Sequence, residues 1–278
     1  MSLTVENLSF SYGRHAVLQG VSFAAQAGEL LAILGPNGVG KTTLFKCVMG
    51  LERRYTGKIL ADGVDLSALS PRKRAHRVVA IPQAHPLSFR YSAFDMVLMG
   101  TSHSLSPFAV PGEKEREMAR AAMARVHIEH LAERPFDQLS GGEQQLVFIA
   151  RALAQQAKIL LMDEPTSSLD YGNRLLVLGV ARDLARFGYT VLLSTHDPQH
   201  ALWFADRALA LKDGRVLALG TPREVITPAL LEELYGRRID LLDTPQGPVL
   251  VPKEGFDVHL DQGKRRLLAG QRRLYEKL

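Results

Sequence analysis

The nonapeptide Gly35-Pro36-Asn37-Gly38-Val39-Gly40-Lys41-Thr42-Thr43 constrains this chain more than any other stretch. It satisfies the pattern G-x-x-x-x-G-K-[ST] without a mismatch. Ahead of it runs Leu30-Leu31-Ala32-Ile33-Leu34, a short apolar run of the kind that fills a buried parallel strand. Behind it Leu44, Cys47, Val48 and Leu51 recur at helical spacing. Strand, glycine-rich loop and helix in that order predict a phosphate site. The glycines let backbone N–H groups converge on phosphate oxygens with no Cβ in the way. The new helix turns the positive end of its dipole toward the same anion. Lys41 is placed to reach the β- and γ-phosphates, and the Thr42 hydroxyl to ligate Mg²⁺. A purely structural glycine turn with an exposed lysine is the competing reading, and the agreement of pattern with context argues against it.

The totals exclude several classes. At 278 residues, 46% hydrophobic and 23% charged, the chain reads as a globular protein with one large domain or two small ones. No apolar run approaches the ~18 residues of a membrane span. Residues 1–10 lack both a basic start and an apolar signal core, which leads us to expect a cytosolic protein. The single cysteine, Cys47, permits no intrachain disulfide. A net charge of +5 suits anionic ligands or a membrane surface and selects neither.

Apolar alternation through Leu3, Val5, Leu8 and Phe10 predicts a strand with one buried face, and residues 17–25 predict another. Asp-Gly turns at Asp62-Gly63 and Asp213-Gly214 predict hairpins over 58–66 and 207–219. These pieces suggest an antiparallel β layer beside the main sheet. Residues 113–127 predict an amphipathic helix with Met118, Ala121, Ala122 and Val126 on its apolar stripe. Leu146, Ile149, Ala150 and Leu153 predict a helix over 142–155. The proline-broken stretch about 84–140 reads as a helical insertion in an α/β core, and no internal repeat occurs.

Four apolar strands each deliver a polar group just past their carboxyl end. Leu30 to Leu34 lead into the glycine loop, Val78 to Ile81 into Gln83, Ile159 to Met162 into Asp163 and Glu164, and Val191 to Ser194 into His196. In parallel α/β sheets the ligand lies along that edge. Asp163 fits the carboxylate that holds Mg²⁺ in phosphate-loop NTPases. Glu164, one residue on, can polarise an attacking water as general base. Gln83 is placed for Mg²⁺ or that water, and His196 for the γ-phosphate; each alone reads as a plain loop residue. Leu139-Ser140-Gly141-Gly142-Glu143-Gln144-Gln145 is the second strong signal. Ser140 and Glu143 make a capping box, but a box needs no glycine pair. Ser140, Gly141 and Gly142 therefore read as a second phosphate-contacting surface at a helix start.

Together these residues resemble the ABC-type ATPases, and specifically the nucleotide-binding subunit of a bacterial ABC importer, over about 3–236. The residues from Leu139 to Gln145 look like the family signature, with Glu143 where glutamine is commonest. Ser168-Leu169-Asp170 looks like the D-loop, with Ser167 where another small residue is frequent. His196 matches the switch histidine, Gln83 the Q-loop, and Tyr12 the aromatic that stacks on adenine; by itself Tyr12 would read as a core tyrosine. The resemblance implies a phosphate-loop NTPase core that hydrolyses ATP with Mg²⁺. It implies a head-to-tail homodimer in which each ATP lies between the loop of one subunit and Ser140, Gly141 and Gly142 of the other, with Asp170 at the joint. It also implies docking on integral membrane permease subunits at the cytoplasmic face of the membrane, an indirect link to a substrate-binding protein, and no nucleic-acid partner.

Residues 92–100 with Pro107, Phe108 and Pro111 resemble importers of iron chelates, haem, cobalamin and molybdate, which belong to the larger-permease class. The apolar side chains Phe89, Tyr91, Phe94, Met96 and Met99 lead us to expect the permease-docking surface there, against the alternative of a small satellite core. The tail 237–278 lies outside the shared pattern and carries no assigned role. An exporter subunit is the alternative that the sequence excludes least. Repair-type ATPases insert long heptads between loop and signature, and none occur here. Translation-type factors carry two cassettes, and this chain has one.

Overall fold

Strands β1 (Leu3–Tyr12) and β2 (His15–Ala25) open the fold, followed by β3 (Leu30–Leu34) and helix α1 (Lys41–Met49). The computed structural model describes residues 1–82, 91–105 and 109–253. Next come β4 (Thr56–Ala61), β5 (Val64–Asp65), α2 (Pro71–Ala75) and β6 (Val78–Ile81). Three helices, α3 (Ala93–Leu98), α4 (Glu113–Arg125) and α5 (Gly141–Ala154), precede β7 (Ile159–Asp163). The chain continues through α6 (Tyr171–Arg186), β8 (Thr190–Thr195), α7 (Pro198–Phe204), β9 (Arg207–Lys212) and β10 (Arg215–Gly220). It closes with α8 (Pro222–Val225), α9 (Pro228–Tyr235) and the hairpin β11 (Ile239–Thr244) and β12 (Gly247–Pro252).

The main sheet has the order β10-β9-β3-β8-β7-β6, with all neighbours parallel except β10, which returns antiparallel beside β9. The expected antiparallel layer is present as a second sheet, β2-β1-β4-β5. Both Asp-Gly turns adopt positive φ at each central residue, 47° and 74° at Asp62 and Gly63, 47° and 73° at Asp213 and Gly214. That is the turn whose twist matches two paired strands.

Strand periodicity sorts the core. Leu31, Ile33, Ile159, Leu161, Leu192 and Leu209 point to one face, where α1 and the antiparallel sheet cover them. Leu160, Met162, Val191 and Leu193 point to the other, under α5 and α6. Ala32, Leu34, Ala208 and Ala210 meet α7, α8 and α9 in a third cluster. A strand covered on both faces must be apolar at every position, which is why β3 reads as an unbroken run.

Helix α4 forms where expected, but its stripe is rotated. Ala119, Ala122, Met123 and Val126 are buried, Met118 is half-buried and Ala121 is exposed. The buried set still repeats at helical spacing; the neighbouring α3 and α5 decide which alanines it takes. Ala93 N donates to Arg134 O at 2.9 Å, so the described part of the helical insertion is stitched closed at its base. Met96, expected on a docking surface, is 1% exposed in the core, while Phe94 and Met99 pack partly buried against it. The satellite-core alternative thus accounts for three of the five apolar side chains; Phe89 lies outside the described residues. The hairpin β11–β12 falls within the stretch set apart as a tail, yet Ile239 and Leu250 pack on the third cluster. Among the described residues no helix is long and apolar enough to cross a membrane.

Candidate functional site

The glycine loop joins β3 to α1 at the carboxyl edge of the main sheet, as the apolar run before it and the helical spacing behind it require. At Gly35 a Cβ would lie 2.5 Å from Leu211 O, so only glycine lets the loop pass β9. The Lys41 side chain is 5% exposed, and its ammonium is held by three oxygens. It donates to Gly35 O at 2.7 Å and Pro36 O at 3.1 Å, and Glu164 Oε1 lies 3.3 Å away. An ammonium so buried needs that many partners to offset its lost hydration.

Asp163 ends β7, and Glu164 follows it with a positive φ of 46°. Such a backbone is strained for a residue with a Cβ and is held by its surroundings. Ser194, the fifth residue of β8, supplies the hold. Its hydroxyl donates to Asp163 Oδ1 at 2.6 Å and accepts the Glu164 N–H at 2.9 Å. His196 Nδ1 sits 3.2 Å from Glu164 Oε2. A carboxylate only accepts, so Nδ1 carries the proton and Nε2 is left with its lone pair in the neutral ring. Glu164 is therefore bracketed by Lys41 on one oxygen and His196 on the other.

A cavity of about 530 Å³ opens here, lined by Asn37, Gly38, Gly40, Lys41, Thr42 and Thr43 from the loop and the start of α1, by Pro82, and by Asp163 and Glu164 at the end of β7 and just past it. Among the described residues no cluster of three carboxylate, histidine or cysteine groups forms a self-sufficient metal site. One hydroxyl and one carboxylate on a shared wall, Thr42 and Asp163, are hard oxygen donors. They suit a small divalent cation that takes its other ligands from phosphate oxygens and water.

Tyr12 closes β1 half-exposed, its ring centroid 4.8 Å from that of Phe10 in an edge-to-face pair and its hydroxyl 3.0 Å from Glu52 Oε1. Gln83 lies outside the described residues, directly after Pro82 on the cavity wall.

The signature is not part of this cavity's lining. Ser140 caps α5 as expected: Glu143 N donates to Ser140 Oγ at 3.3 Å, and Ser140 N donates to Glu143 Oε2 at 2.7 Å. The Ser140 N–H, with the hydroxyl and Arg134 adding to it, holds the Glu143 carboxyl below its ordinary range. The glycine pair divides. Gly142 is buried where a Cβ would meet Asn173 Oδ1 at 2.2 Å, so α6 requires it, whereas Gly141 is exposed. Asp170 caps α6 by accepting from Asn173 N at 2.9 Å, a bond that lowers its own pKa. Ser140, Gly141 and Asp170 are thus exposed polar positions at the starts of α5 and α6.

Ser194 was not among the residues singled out from sequence. The one signal for it was a hydroxyl in an otherwise apolar strand, two residues before His196.

The geometry can be set beside known proteins. A family profile described as ABC transporter matches residues 18–167. An uncharacterized ABC transporter ATP-binding protein of Haemophilus influenzae is 38% identical, over 87% of this chain and 92% of that protein. The hemin import ATP-binding protein HmuV of Nocardia farcinica is 41% identical over 87% of this chain and 84% of its own length. That of Myxococcus xanthus is 37% identical over 91% and 97%. A chain from a metal-chelate type ABC transporter in an inward-facing conformation superposes with a TM-score of 0.79 at 34% identity, over 91% of this chain and 97% of that one.

Proposed function

This chain belongs to the ABC transporter family as an ATP-hydrolysing subunit, and we propose that it powers the import of hemin or a related iron chelate. The observation that carries the chemistry is the convergence of Lys41, Asp163, Glu164 and His196 from three strand ends on one cavity edge. The substrate class rests on the hemin import relatives and the metal-chelate transporter.

In the reading we put forward, triphosphate oxygens replace Gly35 O, Pro36 O and Glu164 Oε1 as partners of the Lys41 ammonium. Loop N–H groups and the α1 dipole take the remaining phosphate charge. Thr42 and Asp163 would hold Mg²⁺, which would supply neutralisation of phosphate charge. Once Lys41 turns to phosphate, the Glu164 carboxylate is free to take a proton from the attacking water. His196, donating from Nδ1, keeps that carboxylate aimed. Tyr12 stacks on the base, and Gln83 senses the metal or water.

Ser140, Gly141 and Asp170 fit a second copy of the chain placed head to tail over the phosphates, since all three are exposed polar positions at the starts of α5 and α6. The subunit would then sit at the cytoplasmic face of the membrane on a permease fed by a binding protein. Reconstitution with the neighbouring permease in vesicles tests this. ATP-driven hemin accumulation, lost in Lys41→Ala, supports the proposal; ATP-driven hemin efflux instead would overturn the import direction.

A further inference from the structure

We propose that the C-terminal hairpin β11–β12 is a positioning element for His196, acting through α7. The inference rests on the reading that His196 works in hydrolysis, and it gives a role to a segment that this reading leaves unused.

His196 stands on a two-residue link, His196 and Asp197, between β8 and α7. That link is tied to the helix behind it. Thr195 Oγ1 accepts the Asp197 N–H at 3.1 Å and lies 3.1 Å from His200 Nδ1. Asp197 caps α7 by accepting from Gln199 N at 2.9 Å, and His200 Nε2 is 3.4 Å from Asp197 Oδ2. A shift of α7 therefore carries His196 with it.

Helix α7 has seven residues, too few to be stable unaided. Its inner side buries Pro198 and Ala201, with Leu202 and Phe204 packed partly buried against the core. Its outer side is fixed by the hairpin. Gln199 Nε2 donates to Pro248 O at 2.9 Å, and Gln199 Oε1 accepts the Leu250 N–H at 2.9 Å. One side-chain amide thus satisfies a donor and an acceptor on β12, as a neighbouring strand would. Four residues on, on the same helix face, Trp203 Nε1 donates to Pro248 O at 3.1 Å. No hairpin residue lines the phosphate cavity, so these bonds reach the site only through α7.

The test is a double-mutant cycle in the full chain, with steady-state ATP hydrolysis measured for wild type, His196→Ala, Gln199→Ala and the double variant. Gln199→Ala should lower kcat by roughly fivefold, the scale of losing one or two net hydrogen bonds, with KM for ATP unchanged. In the His196→Ala background it should have no further effect, because the residue it positions is gone. Trp203→Phe, which keeps the ring, should give a smaller loss of the same kind. Trp203 is the only tryptophan in the chain, so in Gln199→Ala its emission should become easier to quench as the hairpin loosens. An unchanged kcat in Gln199→Ala, or an equal loss in both backgrounds, would overturn the proposal. A His196→Ala variant with full activity would instead overturn the reading of His196 on which it stands.

Discussion

Ser194 Oγ lies 2.6 Å from Asp163 Oδ1 and takes the Glu164 N–H at 2.9 Å, so one hydroxyl on β8 fixes the carboxylate that ends β7 and the backbone of the residue after it. The parallel register pairs Asp163 with Ser194 directly, which makes the contact a consequence of strand order. Ser194→Ala removes the donor to Asp163 and leaves the Glu164 N–H without its acceptor. Outer partners of metal ligands are typically worth about 10- to 100-fold in metal affinity or activity. We expect the Mg²⁺ concentration for half-maximal ATP hydrolysis to rise on that scale and kcat to fall with it. A Mg²⁺ titration of both proteins checks this, and identical curves would remove Ser194 from the site.

Lys41 and Glu164 share an ion pair, so their variants should separate binding from chemistry. Lys41→Ala deletes the cation that faces the phosphates and should abolish productive ATP binding. Glu164→Gln keeps the shape, drops the negative charge beside Lys41, and should bind ATP at least as well. Without a general base its turnover should fall by at least ~10²-fold. Nucleotide affinity and phosphate release read the two effects separately; near-normal turnover in Glu164→Gln would take the base role from it.

The exposed cap at Ser140 leads to a prediction about assembly. Glu164→Gln with ATP and Mg²⁺ should form a dimer, because hydrolysis no longer reopens it. Adding Ser140→Arg should block that dimer by crowding the opposite γ-phosphate, while the fold survives because an N-cap loss costs only ~1 kcal/mol. Light scattering with and without ATP decides it. A dimer that forms without ATP and ignores Ser140→Arg would refute the shared site.

What was legible in the sequence follows from what is local. The loop, the apolar strands and both Asp-Gly hairpins are set by residues adjacent in the chain, and each appears where the pattern places it. The phase of α4 was not legible, because alanines at 119, 121 and 122 are interchangeable until α3 and α5 choose a face. The hold of Ser194 on Asp163 spans 31 positions, and that of Gln199 on Pro248 spans 49. No periodicity encodes such side-chain bonds; they follow from strand order and docking. The packing need for glycine at 142 was not legible either, because it arises from the approach of Asn173 on α6.

Cys47 is buried on α1, and burial, with Glu52 adding, pushes its thiol up to about 12. The folded value lies above the unfolded one, so the stabilising contribution is complete below the unfolded pKa of 9.0 and is lost as pH rises toward about 12. Near pH 8 the folded thiol is protonated and shielded, and iodoacetamide should leave it intact until denaturant is added. Urea unfolding of wild type and Cys47→Ala should diverge above about pH 9, with wild type losing stability faster. Rapid alkylation of the native chain would contradict the burial.

The last prediction concerns the permease. Met96 is buried in the core, so the docking surface cannot be the whole apolar stretch that the sequence suggested. Two features remain nearby. Tyr91 is 39% exposed, and its carbonyl is anchored by the Phe136 N–H at 2.8 Å, so its ring is presented from a fixed backbone. Beside the site, a groove of about 240 Å³ is lined by Met49, Val79, Ala80, Pro82, Phe148 and Arg151. It joins the sheet to α5 and ends at Pro82, next to the phosphate cavity, so a partner seated in it would touch the wall of both. An apolar floor with one cationic rim residue suits a short amphipathic helix of a membrane subunit. Cysteines at Ala80, Tyr91 and Arg151 should cross-link to the permease's cytoplasmic loops, and one at Met96 should not. Tyr91→Ala should lower uptake while the free subunit's ATP hydrolysis is unchanged, because the ring lies outside the phosphate cavity. Cross-links confined to another face, such as the hairpin side of α7, would refute the groove as the docking surface.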